Sequence, residues 1–229
     1  MKGSTTYILL IRHGENDWVG SDRLAGRTPG VHLNEKGHAQ SEQLAEMLAG
    51  QPISAVYSSP LKRCMETATP VAAKFGLTVV PEPGDLEVDY GEWCGRELKE
   101  LTKTPDWHHV QHYPSIYRFP DGETLREVQT RAVTTLERIC ADHPNQLVAV
   151  FSHGDVIRTT LAHFMGTPLD LFQRIMISTA SISGLAFHEA RPAVLFTNYV
   201  ADLPTFEWKK EEEAEQAEGA VQSETEPSA

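Results

Sequence analysis

The chain has 229 residues, 40% apolar and 23% charged, a composition ordinary for a soluble globular protein and a length long for one domain but short for two. Its net charge of −12 argues against general nucleic-acid or anionic-membrane binding, and no apolar run approaches the ~18 residues of a membrane span. No charged-then-apolar leader opens it, and three scattered cysteines (Cys64, Cys94, Cys140) without metal-ligand spacing fit a reducing, cytoplasmic setting.

Ser4 to Arg12 is predicted as the first strand, and its apolar run Ile8 to Ile11 reads as a buried strand of a parallel sheet. The run ends abruptly in Arg12, His13 and Gly14. Open α/β sheets bind ligands at the carboxyl ends of their strands, where a guanidinium offers planar, charge-assisted donors to phosphate or carboxylate. His13 is a candidate nucleophile or, on the plainer reading, a hydrogen-bonded structural histidine. Gly14 allows a tight turn and a close backbone approach to a ligand. Asn16 to Leu33 is loop-like, punctuated by Gly20, Gly26, Pro29 and Gly30. A long loop after a ligand-facing strand is more often functional than idle. Asn34 then reads as a helix N-cap, with Leu44, Met47 and Leu48 at helical spacing before Gly50. Ile53 to Tyr57 is a second strand. After it, Ser59 is expected to cap a helix with Pro60 at its first position. That places Arg63 in the first turn, where the helix dipole disfavours a cation unless an anion is bound; the alternative is a solvated surface arginine.

Leu77 to Val80 is a third predicted strand. DLEVDYGEWCG, Asp85 to Gly95, then carries four carboxylates, Asp85, Glu87, Asp89 and Glu92, one of which can supply the proton a leaving alkoxide needs. Glu97 to Pro120 reads as an irregular helical excursion with Trp107, Tyr113 and Tyr117. His108, His109 and His112 have helical spacing but no accompanying Cys or carboxylate cluster, so they read as surface or rim residues and not as metal ligands. A long helix from Glu123 to about Asp142, begun by Asp121 or Thr124, shows one apolar face of Leu125, Val128, Ala132, Leu136 and Ile139. Leu147 to Phe151 is another buried strand ending in Ser152, His153, Gly154 and Asp155, ahead of a helix from Val156 to Met165. It repeats the opening stretch and is expected to set His13 and His153 side by side at one edge of the sheet. Ile182 to Phe187 and Val194 to Tyr199 form a final strand pair. From Lys209 to Ala229 seven Glu and two Lys give a net −5, so residues 206–229 are expected to be a disordered acidic tail behind a domain of residues 1–205.

RHGEN (Arg12 to Asn16), AGRTPGVHLNEKG (Ala25 to Gly37), SSPLKRCMETA (Ser58 to Ala68), LEVDYGEW (Leu86 to Trp93), DGET (Asp121 to Thr124) and SHGDVIR (Ser152 to Arg158) occur in the order expected of the histidine phosphatase superfamily, which the chain resembles over about residues 5 to 200. The resemblance implies a three-layer α/β/α sandwich with a mainly parallel sheet and a small helical cap at Glu97 to Pro120. It implies that His13 becomes phosphohistidine and Glu87 is the proton donor. Arg12, Arg63, His153, Gly154 and Asn16 are then expected to bind the phosphoryl group, and Ala25, Gly26, Arg27 and Thr28 the rest of the substrate. Phosphoryl transfer needs in-line positioning and charge neutralisation, which two Arg and a His can supply without Mg²⁺ or another cofactor.

The implied partner is a small phosphorylated metabolite. In mutases of the family the stretch after the nucleophile reads Ser/Thr-x-Trp-Asn and then Thr-Gly-Trp. Here Asn16 and Val19 replace the Ser/Thr and Asn, and Ala25-Gly26-Arg27 stands in the third position. The compact Gly95 to Pro120 excursion also shields an intermediate from water less than a longer insertion would. Both departures favour a phosphomonoester phosphatase over a phosphoglycerate mutase-type phosphotransferase. An inactive phosphate-binding module is the third reading. Arg27, Thr28, Trp93, Tyr113 and Tyr117 are expected at the pocket rim.

Overall fold

The computed structural model describes residues 5–21, 23–188 and 191–201; the expected acidic tail lies outside them. In chain order the elements are β1 (Thr5–Arg12), α1 (Glu35–Leu48), β2 (Ile53–Ser58), α2 (Lys62–Lys74), β3 (Val79–Pro81), α3 (Leu98–Leu101), α4 (Pro105–His112), α5 (Leu125–Asp142), β4 (Leu147–Ser152), α6 (Gly154–Met165), β5 (Ile182–His188) and β6 (Arg191–Tyr199). Six strands form one sheet in the order β3-β2-β4-β1-β5-β6. The first four are mutually parallel, and β5 and β6 add an antiparallel edge. None of the described helices is long and apolar enough to cross a membrane.

The continuous apolar runs of β1 and β4 follow from burial on both faces of the sheet. Side chains alternate across a strand, so Leu9, Ile11, Ala149 and Phe151 pack with Leu44 and Leu48 of α1 and Ala68 and Val71 of α2. Ile8, Leu10, Val148 and Val150 face the other way, onto Leu136 and Ile139 of α5 and Ile157 and Leu161 of α6. A third apolar cluster belongs to the cap, where Trp93, Leu101, Val110 and Phe119 pack on Leu125 and Val128, with Trp107 and Tyr117 against them.

Helix starts show where local chemistry was readable. The Asn34 side chain accepts from the Gly37 amide, and Thr124 and Glu127 form a reciprocal capping box that starts α5 at Leu125. The expected Ser59 cap is not formed. Helix α2 begins at Lys62 behind Leu61, and the Ser59 hydroxyl is engaged with His153 instead. The helix after β4 starts at Gly154, two residues earlier than expected, with no side-chain cap.

The sheet positions the site through one register. β1 and β4 are adjacent and parallel, with Arg12 opposite Ser152. Both strands therefore end level, and the next residue of each is a histidine.

Candidate active site

His13 and His153 stand with ring centroids 5.3 Å apart at the carboxyl edge of the sheet. Both rings are buried. The Nδ1–H of His13 donates to the carbonyl of Gly14 at 2.7 Å, which leaves Nε2 as a lone pair with no hydrogen bond among the described residues. Burial, and then the charges of Arg63 and Arg12, hold the His13 pKa well below its ordinary value, so the ring is neutral near pH 7. His153 is neutral for the same reasons. Its Nδ1 accepts from Arg63 Nη2 at 3.1 Å and its Nε2–H donates to Ser59 Oγ at 2.8 Å.

Two guanidinium groups supply positive charge beside these neutral rings. Arg63 is 1% exposed and donates from Nη2 to the Gly26 carbonyl at 2.9 Å. Its acidic neighbour is Glu87, 3.9 Å away. Arg12 donates from Nη1 to the Ile177 carbonyl at 2.8 Å, while its buried Nε has no partner among the described residues. Gly154 matters here, because a Cβ on it would lie 3.3 Å from that Nε. A buried, unpaired charge-bearing donor is costly, and an oxyanion at the head of α6 would satisfy it. Helix α6 presents the Gly154 amide at its first position.

Glu87 completes the cluster. Its side chain is 12% exposed, with Oε2 3.6 Å from His153 Nδ1 and Oε1 accepting from the Val88 amide. Burial, reinforced by the charge of Asp155, pushes its carboxyl up to about 7 against the opposing pull of Arg63 and Arg12. A carboxyl poised there is a proton donor at neutral pH. The arrangement brings together an unprotonated imidazole nitrogen, two guanidinium cations and a carboxyl raised toward neutral pH.

All of these groups except the fully buried His153 line a cavity of about 530 Å³, together with Asn16, Trp18, Arg23, Leu24, Ala25, Gly26, Leu98, Gly154 and Arg158. Asn16 is 1% exposed, and its Oδ1 accepts from the Trp18 and Val19 amides, which shapes the wall. The loop reaches the cap through Leu24, whose amide donates to the Arg96 carbonyl and whose carbonyl accepts from the Gly95 amide.

Several expected rim residues are elsewhere. Arg27 is turned away from the cavity, donating to the Glu87 carbonyl and pairing with Asp89 and Glu123. It braces the loop that carries Glu87. Thr28 does not line the cavity either. Trp93 is 4% exposed inside the cap core, stacked against Trp107 and tilted against Tyr117, because that excursion needs an apolar centre of its own. Tyr113 is 52% exposed, and His108 stacks on His112 in the same surface region. The close approach permitted at Gly14 is to backbone, not ligand: a Cβ there would lie 2.7 Å from the Gly37 carbonyl.

Other residues in and around the cluster were not expected at the site from the sequence. Ser59 fixes the His153 ring. Thr67, one turn after Arg63, accepts from the Gly14 amide and donates to the Arg63 carbonyl. Tyr90, Asp155 and Arg158 form a hydrogen-bonded wall. The sequence signal for the last two was their place three residues apart at the start of α6, within the SHGDVIR motif.

The model of the histidine phosphatase superfamily (branch 1) matches residues 8–200. The chain is 32% identical over 201 residues to phosphoserine phosphatase 1 of Hydrogenobacter thermophilus, covering 87% of this chain and 95% of that one. It is 36% identical over 157 residues to phosphoglycerate mutase-like protein 4 of Arabidopsis thaliana, covering 66% of this chain and 68% of the other. The solved structure of YhfR from Bacillus stearothermophilus superimposes with a TM-score of 0.80 at 27% identity, over 86% of this chain and 98% of its own. The chain belongs to the histidine phosphatase superfamily, branch 1.

Proposed function

We propose that this family member hydrolyses small phosphomonoesters through a phosphohistidine at His13, without a metal ion. The observation that carries the reading is the hydrogen bonding of the His13 ring. Its Nδ1–H is spent on the Gly14 carbonyl, so the Nε2 lone pair is free beside two guanidinium groups.

In the first step Nε2 attacks phosphorus, the P–O bond to the leaving group breaks, and Glu87 gives its proton to the departing oxygen. Arg12, Arg63 and the Gly154 amide stabilise the equatorial oxygens as their charge redistributes. In the second step water attacks phosphorus, the Glu87 carboxylate takes its proton, the P–N bond breaks and inorganic phosphate leaves. His13 and Glu87 are then restored to their starting states. Likeness to a phosphoserine phosphatase supports a small phosphorylated metabolite as substrate.

The test is phosphate release from a panel of phosphomonoesters in chelated buffer, comparing wild type with His13→Ala. The expected result is turnover by wild type and none by the variant, with acid-labile phosphate on the wild-type chain after a rapid quench. Retained turnover in His13→Ala would remove His13 as nucleophile. Net isomerisation of 3-phosphoglycerate, in place of phosphate release, would make the chain a mutase.

A further inference from the structure

We propose that the substrate's leaving group carries a carboxylate close to the phosphate ester, and that Arg158, seconded by Arg23 at the mouth, recognises it. The inference rests on the phosphatase reading above and names the substrate class of the same site.

The phosphoryl cluster accounts for Arg12 and Arg63, but the cavity lining holds two more guanidinium groups, Arg23 and Arg158. Arg158 is built into its place. Its Nε donates to the Ile175 carbonyl at 3.0 Å and its Nη1 donates to Asp155 Oδ1 at 2.8 Å. Asp155 is held in turn, since Tyr90 Oη donates to its Oδ2 at 2.7 Å. Burial and the Asp155 charge raise the tyrosine pKa well above its ordinary value, so this hydroxyl stays a donor. Both Asp155 oxygens are thus occupied, and the guanidinium plane is fixed on two sides. Nη2 has no hydrogen bond among the described residues. A surface ion pair made only for stability would not need this bracing, because exposed pairs contribute little. A planar fork held by its neighbours, with one amino group free, suits a carboxylate. The charges of Arg158 and Asp155 both act on Arg12, which places the pair next to the phosphoryl pocket.

The charge balance points the same way. Four arginines and one ionised acid, Asp155, line the cavity when Glu87 is protonated for its donor role, leaving three positive charges. A phosphomonoester dianion cancels two of them. A carboxylate on the leaving group cancels the third. Arg23 is 55% exposed and loosely paired with Glu97 at 3.8 Å, so its contribution is the most screened by solvent. Arg158 is 23% exposed and is the specificity residue of the pair.

The experiment compares 3-phosphoglycerate with glycerol 3-phosphate, which differ by a carboxylate against a hydroxymethyl group. The wild-type protein is expected to favour the acid by about ten- to a hundredfold in kcat/KM, the range of a charge-assisted hydrogen bond. Arg158→Gln is expected to bring that ratio down about tenfold or more, and Arg158→Lys, which keeps the charge but loses the fork, to retain part of it. A wild-type ratio near one overturns the proposal. So does an Arg158→Gln protein that loses rate on both esters alike, since that marks a structural role only. p-Nitrophenyl phosphate separates the two levels of the argument. Its hydrolysis without any carboxylate preference sinks this inference alone, whereas no hydrolysis of any ester sinks the phosphatase reading beneath it.

Discussion

Glu87→Gln removes the proton donor while keeping the side-chain volume and the hydrogen bond from the Val88 amide, so it isolates one chemical role. General acid catalysis contributes about 10²–10⁴ in rate where the leaving group needs a proton. An alkyl phosphate leaves as a strongly basic alkoxide and feels that full loss. p-Nitrophenolate is a weak base and leaves without help. The variant should therefore fall by about 10²–10⁴ in kcat/KM on an alkyl ester while still transferring phosphate from p-nitrophenyl phosphate to His13. Hydrolysis of the phosphohistidine then stalls for want of a base, and stopped-flow absorbance should show a burst near one equivalent of nitrophenolate. The pH profile gives a second check. Glu87 sits at about 7, raised by burial and by Asp155, and only its protonated form donates. Wild-type kcat/KM on an alkyl ester should thus decline above pH 7 with a limb that Glu87→Gln lacks. Equal losses on both esters with no burst, or a basic limb that survives the substitution, would refute the assignment.

Arg63→Met should destabilise the free protein by about 1–3 kcal/mol, because the buried Gly26 carbonyl and His153 Nδ1 lose their donor. It should also abolish the rise in Tm that tungstate gives the wild type, about 2.7 kcal/mol of stabilisation at a hundred times Kd; an undiminished rise would show that Arg63 does not hold the anion. Gly37→Ala should cost about 1–3 kcal/mol by denaturant titration, since the new Cβ would lie 2.0 Å from the Glu15 carbonyl. Because the loop carrying His13 and Asn16 must shift, kcat/KM should drop by ~10²-fold, and wild-type activity would show the contact to be soft. Asp85 is 1% exposed with Oδ2 unpartnered, and burial, helped by Glu82, raises its carboxyl to about 8. The folded state binds that proton more tightly than the unfolded state, so this group costs stability progressively as pH rises from its ordinary value near 3.8 to about 8. Asp85→Asn should match wild type in unfolding free energy near pH 4 and exceed it by about 1–3 kcal/mol at pH 8, by denaturant titration. A difference independent of pH would mean that ionisation is not the cause.

What the sequence determined by itself was everything encoded by neighbours in the chain. The apolar runs of β1 and β4 announce strands buried on both faces, because alternate side chains must all be apolar there. The Arg12-His13 and Ser152-His153 endings follow directly from those runs. Asn34 and Thr124 mark helix starts, since a cap acts on amides two or three residues away. Tertiary structure alone decided which side chains of the loops reach the cavity. Arg27 lies next to Gly26 in sequence, yet its guanidinium is taken by partners 60 to 96 residues away. Ser59, well placed in sequence to cap α2, is drawn instead to His153, 94 residues on. Trp93 and Tyr117 are aromatic in a loop region but are spent on the cap's own core. Asp155 and Arg158 are plain charges near the start of a helix until Tyr90 and the Ile175 carbonyl fix them against the cavity. Hydrophobic periodicity and caps are short-range and leave a mark in the sequence. The choice among competing long-range donors and acceptors is made only once the chain has closed around them.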